Sequence, residues 1–129
     1  MQITSHFDLE EFHCRDGTPY PKEWIKSRLL SLCKQLEIIR EHFGNKPMVI
    51  SSGYRTNSYN RKINGARRSQ HLLGKAADFK VKGLSPRKVA LEIRELIRQN
   101  NLSITGLGSY KTFTHVDIRD SNRLVYWIY

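Results

Sequence analysis

Two residues of metal-ligand type, His71 and Asp78, stand seven positions apart in Ser69-Gln70-His71-Leu72-Leu73-Gly74-Lys75-Ala76-Ala77-Asp78. A third, His115, follows in His115-Val116-Asp117. This spacing constrains the fold more than any other feature of the chain. On one continuous helix His71 and Asp78 would share a face, but a rise of ~1.5 Å per residue would keep them roughly 10 Å apart. Donor atoms that share one ion, each about 2 Å from it, must lie within about 4 Å of one another. The chain therefore has to fold back between the two residues, and Gly74 supplies the backbone freedom for the reversal. His115 then has to arrive from a separate strand.

Two imidazoles and a carboxylate in this order can hold one zinc ion per chain. Three protein ligands leave the fourth tetrahedral position to water, the arrangement of a catalytic site. Asp117 shares a strand face with His115. A carboxylate beside a metal-bound water can serve as proton acceptor and donor, so Asp117 is the candidate general base, with ligand orientation as its alternative role. His6 and His42 have no such context and read as surface residues.

Around this constellation the pattern is that of an α+β domain. Ile25, Leu29, Leu32, Leu36, Ile39 and Phe43 make one apolar stripe and predict a helix over 21–43, stopped by Gly44 and Pro47. Met48 to Ser52 reads as a buried strand, and the polar stretch 56–66 as a short helix or ordered loop. Ala76 to Val81 is a strand with Ala76, Asp78 and Lys80 on one face. Ser85-Pro86 starts a second helix as N-cap and first-turn residue, with Val89, Ile93, Leu96 and Ile97 on its inner side. Gly106–Tyr110 reads as a glycine-spaced strand or turn, and strands are expected at Phe113–Ile118 and the aromatic-rich Val125–Tyr129. Two long helices and short strands without βαβ alternation predict a small, mostly antiparallel sheet with helices packed on it.

At 129 residues, 39% apolar and 26% charged, the chain is one domain spanning 1–129. No apolar run approaches the ~20 residues that span a bilayer. Met1 to Asp8 lacks the basic start and apolar middle of a secretory signal, which points to synthesis in a cytoplasm. Action outside would follow release by lysis or packaging into a particle. Cys14 and Cys33 do not make a disulfide framework, and Cys33 falls on the apolar side of the first helix. The net charge of +10 calls for a polyanionic surface, either nucleic acid or a bacterial cell wall. Arg61, Lys62, Arg67 and Arg68 beside Tyr54 and Tyr59 are the nucleic-acid candidates. They carry no known nucleic-acid signature and read better as a solvated basic loop, so no stable nucleic-acid partner is expected.

These residues resemble the zinc peptidases of the D-Ala-D-Ala carboxypeptidase clan, and most nearly the short, phage-type members of the M15 family. The family pattern Ser-x-His-x-x-Gly-x-Ala-x-Asp is met by Ser69, His71, Gly74, Ala76 and Asp78. Ser52-Gly53-Tyr54-Arg55 and His115-Val116-Asp117 match its upstream and downstream elements. The resemblance is strong over 48–119 and weaker over the N-terminal lead-in. It implies the fold shared with the hedgehog signalling domain, zinc held by His71, Asp78 and His115, and substrates drawn from peptidoglycan stem peptides. It implies that Arg55 holds a substrate carboxylate or polarises the carbonyl, and that Ser69 supports the site by hydrogen bonding. The chain departs from the family at Thr112, where several branches carry the catalytic acid.

Three functions follow as expectations. The first is a zinc metallopeptidase acting as a monomer on the cell wall, as an endolysin-like carboxypeptidase or endopeptidase, with the scissile bond left open. The second is a non-catalytic, zinc-containing wall-binding module on the same fold. The third is nucleic-acid binding.

Overall fold

The computed structural model describes residues 1–129. The chain opens with a small antiparallel hairpin of β1 (Gln2–Thr4) and β2 (Phe7–Asp8). The predicted first helix is present but starts irregularly, with a 3-10 turn at Lys22–Trp24, then a π turn at Ile25–Leu29, before α1 (Leu30–His42). The wider turn resets the helical phase. Trp24 thereby meets Tyr20 and Tyr54 edge to face at 6.5 and 5.9 Å, while Leu29 stays buried. From Leu29 on, the stripe is buried as its spacing demands: Leu29, Leu32, Leu36, Ile39 and Phe43 all lie in the core. Full burial of each such side chain contributes about 1.5–3 kcal/mol.

Then come β3 (Met48–Ser52), α2 (Asn57–Lys62), a 3-10 turn at Gln70–Leu73, β4 (Ala76–Val81) and α3 (Pro86–Arg98). The chain finishes with β5 (Gly106–Ser109), β6 (Thr114–Asp117) and β7 (Val125–Ile128). The main sheet runs β3-β4-β6-β5-β7. All its pairings are antiparallel except β5 with β7, so the sheet is mostly antiparallel as expected, with one parallel edge.

One sheet face makes the core. Ile50, Ala77, Phe79, Leu107 and Val116 join the α1 stripe and Val89, Ala90 and Ile93 of α3 in one continuous cluster. The alternation of the strands then turns Ala76 and Asp78 of β4, and His115 and Asp117 of β6, to the other face. All four are buried there as well, with the Trp127 ring 5.2 Å from that of His115. Cys33 is fully buried in the core, and burial pushes its thiol pKa well above the usual range. Cys14 is buried and free. The neighbouring His13 Nδ1 accepts from the Tyr20 amide at 2.9 Å, so the pair serves local packing. No helix is long and apolar enough to cross a membrane.

Candidate metal centre and cleft

Sheet register does most of the assembly. Asp78 on β4 and His115 on β6 are directly opposed partners. His71 is delivered by the 3-10 turn between α2 and β4. Ser69 caps that turn by accepting from the His71 amide at 3.2 Å. Gly74 ends it with φ +66°, a left-handed conformation open to glycine at no steric cost. The predicted reversal between His71 and Asp78 is thus present, and the donor atoms of His71, Asp78 and His115 all lie within 4.8 Å of one another.

Hydrogen bonds fix which atom of each ring faces the centre. His71 Nδ1 donates to the Gly53 carbonyl at 2.6 Å, which leaves the lone pair on Nε2. That Nε2 is buried, has no hydrogen-bond partner and sits 3.1 Å from Asp78 Oδ1. Two lone pairs facing each other in a dry site repel, and a cation between them removes the conflict. His115 Nε2 donates to Asp117 Oδ2 at 2.7 Å, so its Nδ1, 2.8 Å from Asp78 Oδ1, is the centre-facing atom. The donor set is what zinc takes, and the orphaned Nε2 shows that the residues fit a metal.

Electrostatics favour the metal-ready form at His71 and Asp78 and the protonated form at His115. Burial holds the His71 imidazole below its usual pKa against the opposing pull of Asp78, which favours the neutral, ligand-competent ring. Burial would raise Asp78, but the two histidines outweigh it and hold the carboxyl well below the usual range. Burial lowers His115, and its bonds to Asp117 and Asp78 more than compensate, so its pKa is raised.

Asp117 stands apart from the centre. It shares the strand face of His115 as expected, but the ring of His115 stands between it and the centre. It is fully buried. Oδ1 accepts from the Arg119 amide at 3.1 Å and from Arg119 Nε at 2.9 Å, while Oδ2 accepts from Arg119 Nη2 and His115 Nε2, each at 2.7 Å. Burial would raise its pKa, but these partners depress it strongly. A carboxylate so engaged holds the His115 ring in one orientation, which matches the alternative role expected of Asp117. Asp78 is the single acidic side chain lining the cleft. Thr112 lies elsewhere, beside Lys80, Lys82 and Lys111 in a separate groove.

The centre forms the floor of a cleft of about 700 Å³. Arg55 lines it, with its guanidinium shared among Ser52 Oγ at 3.2 Å, Asn60 Oδ1 at 3.3 Å and Asp78 Oδ2 at 3.3 Å. It therefore touches a ligand residue as well as the cavity. Ser69 lines the cleft too, with its hydroxyl already engaged by His71. Arg68 and Arg119 add positive charge to the lining. Of the basic loop residues, Arg61 and Arg67 border a neighbouring groove with Asn57 and Asn60. Tyr54, one of its aromatic companions, is packed against Tyr20 and Trp24. Sequence reasoning missed Arg119, Tyr110, Phe113 and Trp127. Arg119 was detectable in principle, since it continues the His115, Asp117 alternation by one step.

A family model described as Peptidase M15 matches residues 5–117. The match spans most of the chain and takes in Arg55, Ser69, His71, Asp78, His115 and Asp117. The chain belongs to the M15 peptidase family. No curated protein matches it by sequence.

Proposed function

We propose that the protein is a zinc-dependent metallopeptidase that hydrolyses peptide bonds in peptidoglycan stem peptides. The observation that carries this reading is the buried His71, Asp78, His115 cluster with its unpartnered Nε2, set in the floor of a cleft. His71 Nε2, Asp78 Oδ1 and His115 Nδ1 would hold the ion. Bound zinc supplies Lewis acidity toward the scissile carbonyl and lowers the pKa of its water toward ~7. Gly53 and Asp117 keep the two rings in the ligating tautomer. Arg55 and Arg68 draw a substrate carboxylate to the cleft, and Arg55 lies close enough to Asp78 to stabilise negative charge growing at the carbonyl oxygen. The charge of +10 favours an anionic wall polymer as the surface on which the protein works as a monomer, after release or from within a particle.

A second reading, a zinc-containing module that binds wall without cutting it, is favoured by one observation: the cleft lining offers no acidic side chain besides the ligand Asp78. One experiment separates the two. Purified protein is assayed for zinc and incubated with defined muropeptides, and new termini are sought by mass spectrometry. One zinc per chain with new termini supports the peptidase. Zinc with no new termini supports the module. Stoichiometric zinc retained in His71→Ala, Asp78→Ala and His115→Ala alike removes the metal assignment.

A further inference from the structure

The cleft has an aromatic wall that the metal chemistry does not use. Phe113 and Tyr110 stack at 4.3 Å and 15°, and Tyr129 continues the pile on Tyr110 at 5.4 Å and 29°. Trp127 donates from Nε1 to the Tyr110 hydroxyl at 2.9 Å, and its ring lies 5.2 Å from that of His115. The wall is built to fit: a Cβ on Gly108 would come within 2.7 Å of Trp127. Arg119 caps it, with its guanidinium 5.2 Å from the Trp127 ring. Arg119, Val125, Trp127 and Tyr129 all fall beyond the residues 5–117 matched by the family, so much of this wall is supplied by β7 and the loop before it.

Tyr110, Phe113 and Trp127 are half-buried in this wall, and its outer end is open to solvent. Tyr129 is 82% exposed and Val125 40%, and Ile63 in the same lining is 41% exposed. A contiguous apolar surface with a polar rim marks a binding surface. Stem peptides carry small or charged side chains, which gain little from a stack of rings. The ring-bearing part of the polymer is its saccharide. A pyranose has an apolar C–H face to lie on an aromatic ring and a polar edge of hydroxyls and amides. The rim here supplies matching partners. The Tyr110 hydroxyl accepts from Trp127 and so keeps its own proton to donate, and the guanidiniums of Arg68 and Arg119 stand in the same lining.

We propose that the wall formed by Tyr110, Phe113, Trp127 and Tyr129 is a saccharide-binding subsite, so that the protein takes stem peptides still attached to glycan in preference to free ones. This rests on the peptidoglycan reading above. It is tested with one stem peptide in two forms, disaccharide-linked and free. Expected is a kcat/KM about tenfold higher for the linked form, carried by KM, with the ratio falling toward one in Tyr129→Ala and in Tyr110→Ala. Equal values for both forms in the wild type, or a ratio preserved in both variants, overturns the subsite. If the wild type cuts neither form, the peptidoglycan reading fails, and the subsite is decided by binding alone. In a Trp24→Phe background, where Trp127 is the one remaining tryptophan, N-acetylglucosamine oligomers without peptide should quench emission saturably. Absence of quenching overturns the subsite.

Discussion

Asp117 has both carboxylate oxygens committed to Arg119 and His115, and its chemistry follows from that. Removing its charge in Asp117→Asn weakens the polarisation of His115, so zinc affinity should fall by about 10–100-fold. Turnover should then return when zinc is added in excess. Chelator competition and assays across a zinc series check this, because loss of a general base would persist at saturating zinc. Arg55 is a second case. Its planar fork meets three partners from three separate nitrogens, a spacing that the single nitrogen of an ammonium cannot reproduce. Arg55→Lys should keep zinc yet lose at least about tenfold in kcat/KM, read from steady-state kinetics beside metal analysis. The clustering of His71, Asp78 and His115 was legible in the sequence because coordination chemistry forces their spacing to mean something. The place of Asp117 behind His115 was not, because alternation gives the face of a residue and not what stands between it and its neighbour. Three polar residues on one strand face can form a row in which the middle one is screened, and only packing decides that.

At the scale of elements, the strands β3 and β4 and the helix α3 were readable from local signals. β4 alternates cleanly, and α3 has Ser85 accepting from the Lys88 amide at 3.2 Å with Pro86 in its first turn. The β1–β2 hairpin was not, because Ser5-His6 lacks the Asn-Gly type of turn signal. Its anchor is tertiary. Glu37 of α1 accepts from Thr4 Oγ1 at 2.7 Å and the His6 amide at 2.8 Å, and pairs with His6 Nδ1 at 2.7 Å. Partial burial would raise the Glu37 pKa, but these partners outweigh it and lower it. Its contribution is therefore complete above the free glutamate pKa of about 4.3 and is lost as pH falls through the lower folded value. Protection of the His6 amide from hydrogen exchange, relative to its intrinsic rate, should fall across that acid range, and Glu37→Gln should lack the transition. β5 makes a sharper demand. A Cβ on Gly106 would overlap the Asp117 carboxylate, which cannot move without breaking its bonds to Arg119 and His115. Gly106→Ala should cost about 1–3 kcal/mol in denaturant unfolding and weaken zinc retention together. Loss of stability with zinc affinity unchanged would show that the strain is relieved elsewhere.

Across the whole molecule, the order of periodic segments foretold the α+β class, but the parallel docking of β7 and the aromatic wall it completes depend on pairings that local patterns do not encode. The sheet order carries a further consequence. β6 lies between β4 and β5, although it follows both in the chain. His71 and Asp78 are near neighbours in sequence, but His115 joins them only when β6 closes the gap, after α3 and β5 have been laid down. Completion of the donor set is thus tied to a long-range step, the kind that loop entropy delays. A metal that needs all three donors can grip the chain only after that step. Zinc should then act as a latch on the finished protein: stopped-flow unfolding should slow as free zinc rises, while the refolding rate stays nearly constant. A refolding rate that climbs with zinc would mean that the donors meet before the sheet closes.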